Sequence, residues 1–246
     1  MFGKSSSVLH EKSSGSDGKQ EALFIFILVA LCFVLFFLFL GDRPLWDVDE
    51  GKHASTSKDM ILTGDWVTPR LNGEKFYDKP PLFNWLVALS FLIFGFTEFA
   101  ARLPAALLGL GCVLFTYFLG RRMLNPLTGL LGGLILATGG EFIGLSIAVV
   151  HDMLLTFCIT LTLYFFYRGY TDTIRRKTFI IVSYAFAGFG VLAKGPIGLL
   201  LPALIIGLFL LYKGNLGFIK ELVRGWGIPL FLLISLPWYI LIAMRN

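Results

Sequence analysis

Charge is scarce in this 246-residue chain. Only 15% of its residues are Asp, Glu, Lys or Arg, against about 25% in an ordinary soluble domain. That shortfall excludes a soluble globular enzyme, and a mean hydropathy of +0.77 excludes a disordered chain. Cysteine is scarce too. The three present, Cys32, Cys112 and Cys158, all fall inside apolar runs, so neither a disulfide framework nor a zinc site is expected. There is no Walker loop, dinucleotide fingerprint or Cys/His array. What abounds is apolar: 56% hydrophobic residues, 25 of the chain's residues being phenylalanine. Runs long enough to span a bilayer recur, which makes this a polytopic, all-α integral membrane protein. The net charge of +5 then reads as cytoplasmic loops rather than as nucleic-acid binding.

Residues 1–21 are polar and rich in Ser, Gly and Lys, and are expected to form a disordered cytoplasmic tail. Residues 22–246 form one transmembrane domain. Its first segment, 22–40, has 19 apolar residues without a charge. No small-residue cleavage site follows, so it reads as a transmembrane helix and not a signal peptide. Residues 41–80 break the pattern with eight of the 16 acids, six basic residues and turn formers such as Leu71-Asn72-Gly73. A helix is expected over 49–62.

Further apolar segments run over about 81–97, 103–120, 127–150, 153–167, 179–193, 196–212 and 226–244. Three basic groups separate them: Arg121-Arg122, then Arg168 with Arg175-Arg176-Lys177, then Lys213, Lys220 and Arg224. Positive-inside bias puts these with the N-terminal lysines in the cytoplasm. They share that side only if 81–97, short and preceded by Lys79-Pro80, is an interfacial or re-entrant helix and not a span. About seven spans result. The 41–80 loop, Arg102, His151-Asp152 and Lys194 then lie on one external face. Segment 127–150, interrupted at Gly139-Gly140-Glu141, reads either as one tilted span or as a shorter span with an interfacial piece.

The densest chemical cluster is Trp46-Asp47-Val48-Asp49-Glu50-Gly51-Lys52-His53. Adjacent carboxylates at a membrane surface repel one another, and more strongly at low dielectric. They are kept to bind a cation, to take a proton in a reaction, or to cap a loop helix. The Asp-Val-Asp spacing also suits a divalent cation that holds a sugar donor's phosphates. Glu50 and His53, three apart, face the same way on a helix. Phe76-Tyr77-Asp78-Lys79-Pro80-Pro81 closes the loop. Lys79, Arg102 and Lys194 each read alone as headgroup anchors. Three cations on the face that carries the acids favour an anionic substrate. Asp152, beside His151 between two apolar runs, is either a functional group or a helix cap.

The stretch WDVDEGKHASTSKDMILTGDWVTPRLNGEKFYDKPPLFNWL resembles the first external loop of polyprenyl-phosphate-dependent glycosyltransferases of the GT-C fold. The branch it looks like is the bacterial aminoarabinose (lipid A) transferases, related to protein O-mannosyltransferases. FAARLPAALLGL, HDMLLTF and LAKGPIGLLLP follow in the family's order. The resemblance implies a GT-C-like multi-span helical bundle whose external first loop carries juxtamembrane helices. It implies a sugar transferase in a bacterial inner membrane, with the active face outside. The donor is a polyprenyl-phosphate-linked sugar, with no other fixed cofactor. The acceptor is a lipid A-like or protein molecule, and the partners are membrane lipids, not nucleic acid.

By match, Asp49 is the principal catalytic carboxylate, with Glu50 beside it and Asp152 as a further position. Lys79 matches the lysine that contacts the donor phosphate, and Lys194 matches a further polar position; in the mechanism expected here Arg102 or Lys194 joins Lys79 in binding that phosphate. His53, Tyr77 and Asp78 are candidate substrate or metal contacts. The chain departs from the family's pattern at Lys52 and His53, where Arg and Tyr are common, and at Asp78, where Glu is common. It reads as the N-terminal portion of a longer enzyme. The rival classes are a non-catalytic membrane scaffold and a transporter, which would place its ionisable groups at mid-membrane. Asp49, Lys79, Arg102, Asp152 and Lys194 are expected to face one cavity floored by the 81–97 helix.

Overall fold

The computed structural model describes residues 5–46 and 49–245. Helix α1 (Ser5–Cys32) continues through a π-helical turn at Phe33–Phe37. Leu28, Cys32 and Phe36 face the core while Phe26, Phe33 and Phe39 are exposed, as in a helix with lipid on one side. The helix also covers residues 5–21, which composition marks for disorder. An apolar nucleus lets a helix propagate outward at little cost per residue, and Lys19, Gln20 and Glu21 are good helix formers. Glu21 is held there by Arg121 at 2.6 Å.

Next come α2 (Asp49–Thr63), β1 (Arg70–Leu71), β2 (Glu74–Lys75) and α3 (Leu82–Phe94). The expected 49–62 helix is met to within a residue. The two strands pair antiparallel, Arg70 opposite Lys75. Asn72 (φ 55) and Gly73 (φ 85) are both left-handed at the tip, the combination that a two-residue type I′ hairpin requires. With 13 residues, α3 is about 20 Å long and cannot cross a hydrocarbon core of about 30 Å. It is the short helix that the charge bias demands.

Helices α4 (Glu98–Met123), α5 (Pro126–Ala137), α6 (Gly140–Ser146), α7 (His151–Thr171), α8 (Arg176–Lys194), α9 (Ile197–Tyr212), α10 (Phe218–Val223) and α11 (Gly227–Arg245) complete the bundle. Among the described residues, five helices are long and apolar enough to cross a membrane: residues 18–37 of α1 with its π-helical turn, α4, α7, α8 and α11. The α5–α6 pair makes a sixth only if it counts as one bent span, for it turns by 72° at the break. Segment 127–150 is therefore a shorter helix with a bent continuation, and not one straight tilted span. Helix α9, with 16 residues, falls short of span length but still runs from one end of the bundle to the other.

Side-chain ties mark the two ends. Arg121 meets Glu21, Arg122 meets Thr171 at 3.2 Å, and Arg176 meets Glu221 at 2.7 Å. The basic groups thus share one end and the acidic loop occupies the other. The α8–α9 corner is tight because Gly195 is left-handed (φ 77). A Cβ on Gly198 would lie 2.1 Å from the Gly190 carbonyl carbon. That corner fixes where Lys194 ends α8.

Candidate active site

Arg102 sits in the second turn of α4 and is 1% exposed. All five of its N–H groups find acceptors. Nε donates to Glu50 Oε1 at 2.9 Å, and Nη1 donates to the carbonyls of Leu40 (3.2 Å) and Arg43 (2.8 Å). Nη2 donates to the Pro44 carbonyl (2.9 Å) and to Glu50 Oε2 (2.7 Å). Glu50 also accepts from the backbone N–H of Val149 (3.0 Å) and Trp46 (2.8 Å). Burial alone would raise the Glu50 carboxyl. The Arg102 hydrogen bonds, with those from Trp46 and Val149, outweigh it and hold the group below its ordinary value.

This geometry corrects two expectations. Arg102 has no donor left for a phosphate, and Glu50 has no accessible oxygen for a proton. The pair is a clamp that joins the end of α1, the loop, α2, α4 and the approach to α7. A charge left unpaired at such depth is strongly destabilising, which is why both partners saturate each other. The sequence hint was Arg102 itself, a charge one turn inside an otherwise apolar helix, which needs a partner.

Asp49 behaves differently. Successive helix residues point about 100° apart, so Glu50 and His53 turn inward while Asp49 is exposed. His53 (5% exposed) meets His151 (1% exposed) edge to face, with ring centroids 4.4 Å apart. Phe83 of α3 packs on the same His151 ring at 5.1 Å. Neither nitrogen of His151 makes a hydrogen bond, although the Pro80 carbonyl approaches it. The His53 imidazole is pushed down to about 4, first by burial and then by Lys79, against weaker opposing pulls from Asp78 and Asp49. It is neutral at pH 7.

Lys79 lies within electrostatic reach of both imidazoles. It is half-buried, with its ammonium 3.5 Å from the Asp78 carboxylate. Lys194 forms an ion pair with Asp152 of the first turn of α7, both half-buried. Tyr77 is exposed on the same loop. The loop end thus collects Asp49, His53, Asp78, Lys79, Asp152 and Lys194, over a floor of α3. Of the five charges expected to face one cavity, Arg102 is instead buried in the clamp. Chemically the cluster offers an exposed carboxylate, an ammonium with a loosely held counterion, one closed ion pair, the neutral His53 imidazole and the His151 ring packed against it. Among the described residues no three His, Cys, Asp or Glu side chains converge to hold a metal ion. Asp47, the other acid of the Asp-Val-Asp spacing, lies outside the described residues.

Several anchors of this loop escape sequence reasoning. Trp85 Nε1 donates to the Trp66 carbonyl at 2.8 Å, and Trp238 Nε1 of α11 donates to the Val67 carbonyl at 2.9 Å. Arg245 meets Asp65 at 3.0 Å, and the Asp65 carboxylate also accepts the Val67 and Thr68 N–H groups. Partners so distant along the chain leave no local pattern.

Residues 78–241 match the family described as dolichyl-phosphate-mannose-protein mannosyltransferase. The chain belongs to that family. It is 32% identical over 224 residues to the undecaprenyl phosphate-alpha-4-amino-4-deoxy-L-arabinose arabinosyl transferase of Aeromonas salmonicida (strain A449), covering 88% of this chain and 40% of that protein. An uncharacterized protein of Aquifex aeolicus (strain VF5) is 35% identical over 203 residues, or 82% of this chain and 39% of that one. The fold matches ArnT from Cupriavidus metallidurans bound to undecaprenyl phosphate with a TM-score of 0.85 at 30% identity, covering 90% of this chain and 42% of ArnT. The chain therefore spans about two fifths of the length of these relatives. Asp78, Lys79, Asp152 and Lys194 all fall within the family match, as does the Arg102 half of the clamp.

Proposed function

We propose that this chain carries the donor-binding and catalytic end of a membrane glycosyltransferase. It moves a sugar from a polyprenyl-phosphate carrier to a lipid A-like or protein acceptor, on the external face of a bacterial inner membrane. One observation carries the reading: a chain with the fold of a protein bound to undecaprenyl phosphate sets an exposed acid, Asp49, at the same end as Lys79. Basic residues gathered at the opposite end support an external loop.

In this reading the bond between the anomeric carbon and the donor's phosphate oxygen breaks, and its electron pair leaves with the phosphate. The acceptor oxygen forms the new bond to that carbon. Asp49 takes the acceptor's proton, a role needed for a hydroxyl acceptor and dispensable for an anionic phosphate acceptor. Lys79 offsets the charge on the phosphate. Its contact with Asp78, at 3.5 Å, is long for a charge-assisted hydrogen bond, so the ammonium exchanges partners readily. Lys194 reaches a phosphate only by releasing Asp152, which makes it the secondary cation.

The test pairs undecaprenyl phosphate binding with sugar transfer from a lipid-linked donor to lipid A. The chain is reconstituted in vesicles, with Cupriavidus metallidurans ArnT assayed alongside. Asp49→Asn should keep binding while turnover falls on the order of 10²–10⁴-fold. Lys79→Ala should weaken binding and turnover together, because the phosphate is anionic both as donor and as leaving group. Undecaprenyl phosphate binding unaffected by Lys79→Ala would remove the phosphate role, and wild-type turnover in Asp49→Asn would remove the base.

A further inference from the structure

The basic end of the bundle holds two adjoining cavities. The first, about 240 Å³, lies between α7, α8, α9 and α10. Helix α9 lines it with Leu199, Pro202, Ala203, Ile206, Gly207 and Leu210, whose three- and four-residue spacing makes one continuous face. The polar groups around it are already bonded to the protein. The Ser183 hydroxyl donates to the Thr162 carbonyl (2.8 Å), the Thr162 hydroxyl to the Cys158 carbonyl (2.8 Å), and Tyr184 to the Leu222 carbonyl (3.3 Å). What remains to meet a ligand is hydrocarbon, along about 16 Å of helix.

The second is a cleft of about 730 Å³ whose lining includes Arg176, Lys177, Arg224 and Trp226. Ile180 borders both spaces. Lys177 and Arg224 are exposed. Glu221 occupies one edge of Arg176 at 2.7 Å, yet the Arg176 Nε–H is buried without an acceptor. The Trp226 indole is 77% exposed at the rim, where an amphipathic ring suits the headgroup level.

We infer that the two cavities form one binding site for an anionic phospholipid of the leaflet on the basic side. The lipid phosphate sits among Arg176, Lys177 and Arg224, and one acyl chain lies along the α9 face. Charge complementarity chooses this occupant. Three cations against one acid, at the mouth of a hydrocarbon-lined space, fit a phosphate that carries a chain. A packed apolar helix brings no anion, and inorganic phosphate leaves the apolar cavity unfilled. The site lies at the opposite end from Asp49 and does not rest on the transferase reading.

Native mass spectrometry of the purified chain tests this, with dioleoylphosphatidylglycerol, dioleoylphosphatidylcholine and undecaprenyl phosphate as probes. The wild type should retain phosphatidylglycerol in preference to phosphatidylcholine. Lys177→Gln with Arg224→Gln should lower phosphatidylglycerol retention about fivefold per cation and erase the preference. Gly207→Phe addresses the chain: a Cβ there meets nothing within 4 Å, so the added ring enters the cavity without moving backbone. Retention of both phospholipids should fall in that variant, with undecaprenyl phosphate binding unchanged. Equal retention of the two phospholipids by the wild type would overturn the site, as would unchanged phosphatidylglycerol retention in both variants. Displacement of phosphatidylglycerol by undecaprenyl phosphate would assign the cavity to the carrier instead. Self-association that Gly207→Phe abolishes would assign it to a helix of a second copy.

Discussion

Asp49 and Glu50 follow one another at the start of α2, yet one carboxylate is exposed and the other, 5% exposed, accepts four hydrogen bonds. The same contrast separates the regions they belong to. At Glu50 the carboxylate and the Arg102 guanidinium are fully matched, and the charges are consumed in holding five chain segments together. Around Asp49 the groups are only partly matched: a long Lys79–Asp78 contact, and a His151 ring with no hydrogen bond. A saturated cluster can position but cannot exchange partners, whereas an unsaturated one can bind and release. Charge type alone does not distinguish these roles; the reach of neighbouring donors does.

Stability measurements in detergent should break or sharpen that contrast. The largest effect is expected for Arg102→Ala, which strands the buried Glu50 and should cost about 3–5 kcal/mol in denaturant unfolding. A loss below about 1 kcal/mol, the range of an exposed ion pair, would mean that the clamp is not what holds the loop.

Acid should reach the open region before the clamp. His53 titrates at about 4 in the fold and near 6.5 when unfolded, so the unfolded chain takes the proton first as pH falls. Stability is then full above about pH 6.5 and declines toward pH 4, by about 3 kcal/mol. Asp49, Lys52, Asp78 and Lys79 are the charged groups acting on this ring, and His151 packs against it. Glu50, whose carboxyl is lowered, keeps its contribution above the unfolded value of about 4.3 and loses it only below. His53→Gln should flatten the decline in melting temperature between pH 7 and pH 5. An identical decline in that variant would place the titrating group elsewhere.

A smaller effect is expected at Thr97, whose hydroxyl caps α4 by accepting the Ala100 N–H at 3.2 Å. Thr97→Ala should cost about 1 kcal/mol, well short of Arg102→Ala, if the clamp and not the cap sets α4 against the loop. Smallest of all should be Asp49→Asn, within about 0.5 kcal/mol of wild type. A large stability loss there would make Asp49 a structural acid like its neighbour.

Much of this frame is readable from local pattern. The 49–62 helix, the short 81–97 segment and the grouping of basic residues at one end each follow from composition and spacing within a few turns of chain. The clamp was not readable as such. Arg102 and Glu50 lie 52 residues apart and Val149 is 99 from Glu50, so only tertiary packing shows that the arginine's donors are all engaged. Exposure likewise separates Asp49 from Glu50, where residue type treats them alike. The 72° break after α5 was half legible: Gly139-Gly140 marked an interruption, but the angle depends on what α6 packs against.

The ties from α11 to the loop carry a consequence for synthesis. Trp238 reaches Val67 across 171 residues of chain, and Arg245 reaches Asp65 across 180. A ribosome adding about 5–20 residues per second takes roughly 10–35 s to produce that stretch. Arg102 and Glu50 are only 52 residues apart, so the first half of the loop is set early and residues 65–67 wait for α11 to insert. During that interval the segment is open to proteases and chaperones on its side of the membrane. A nascent chain stalled before α11 is the species they would clear.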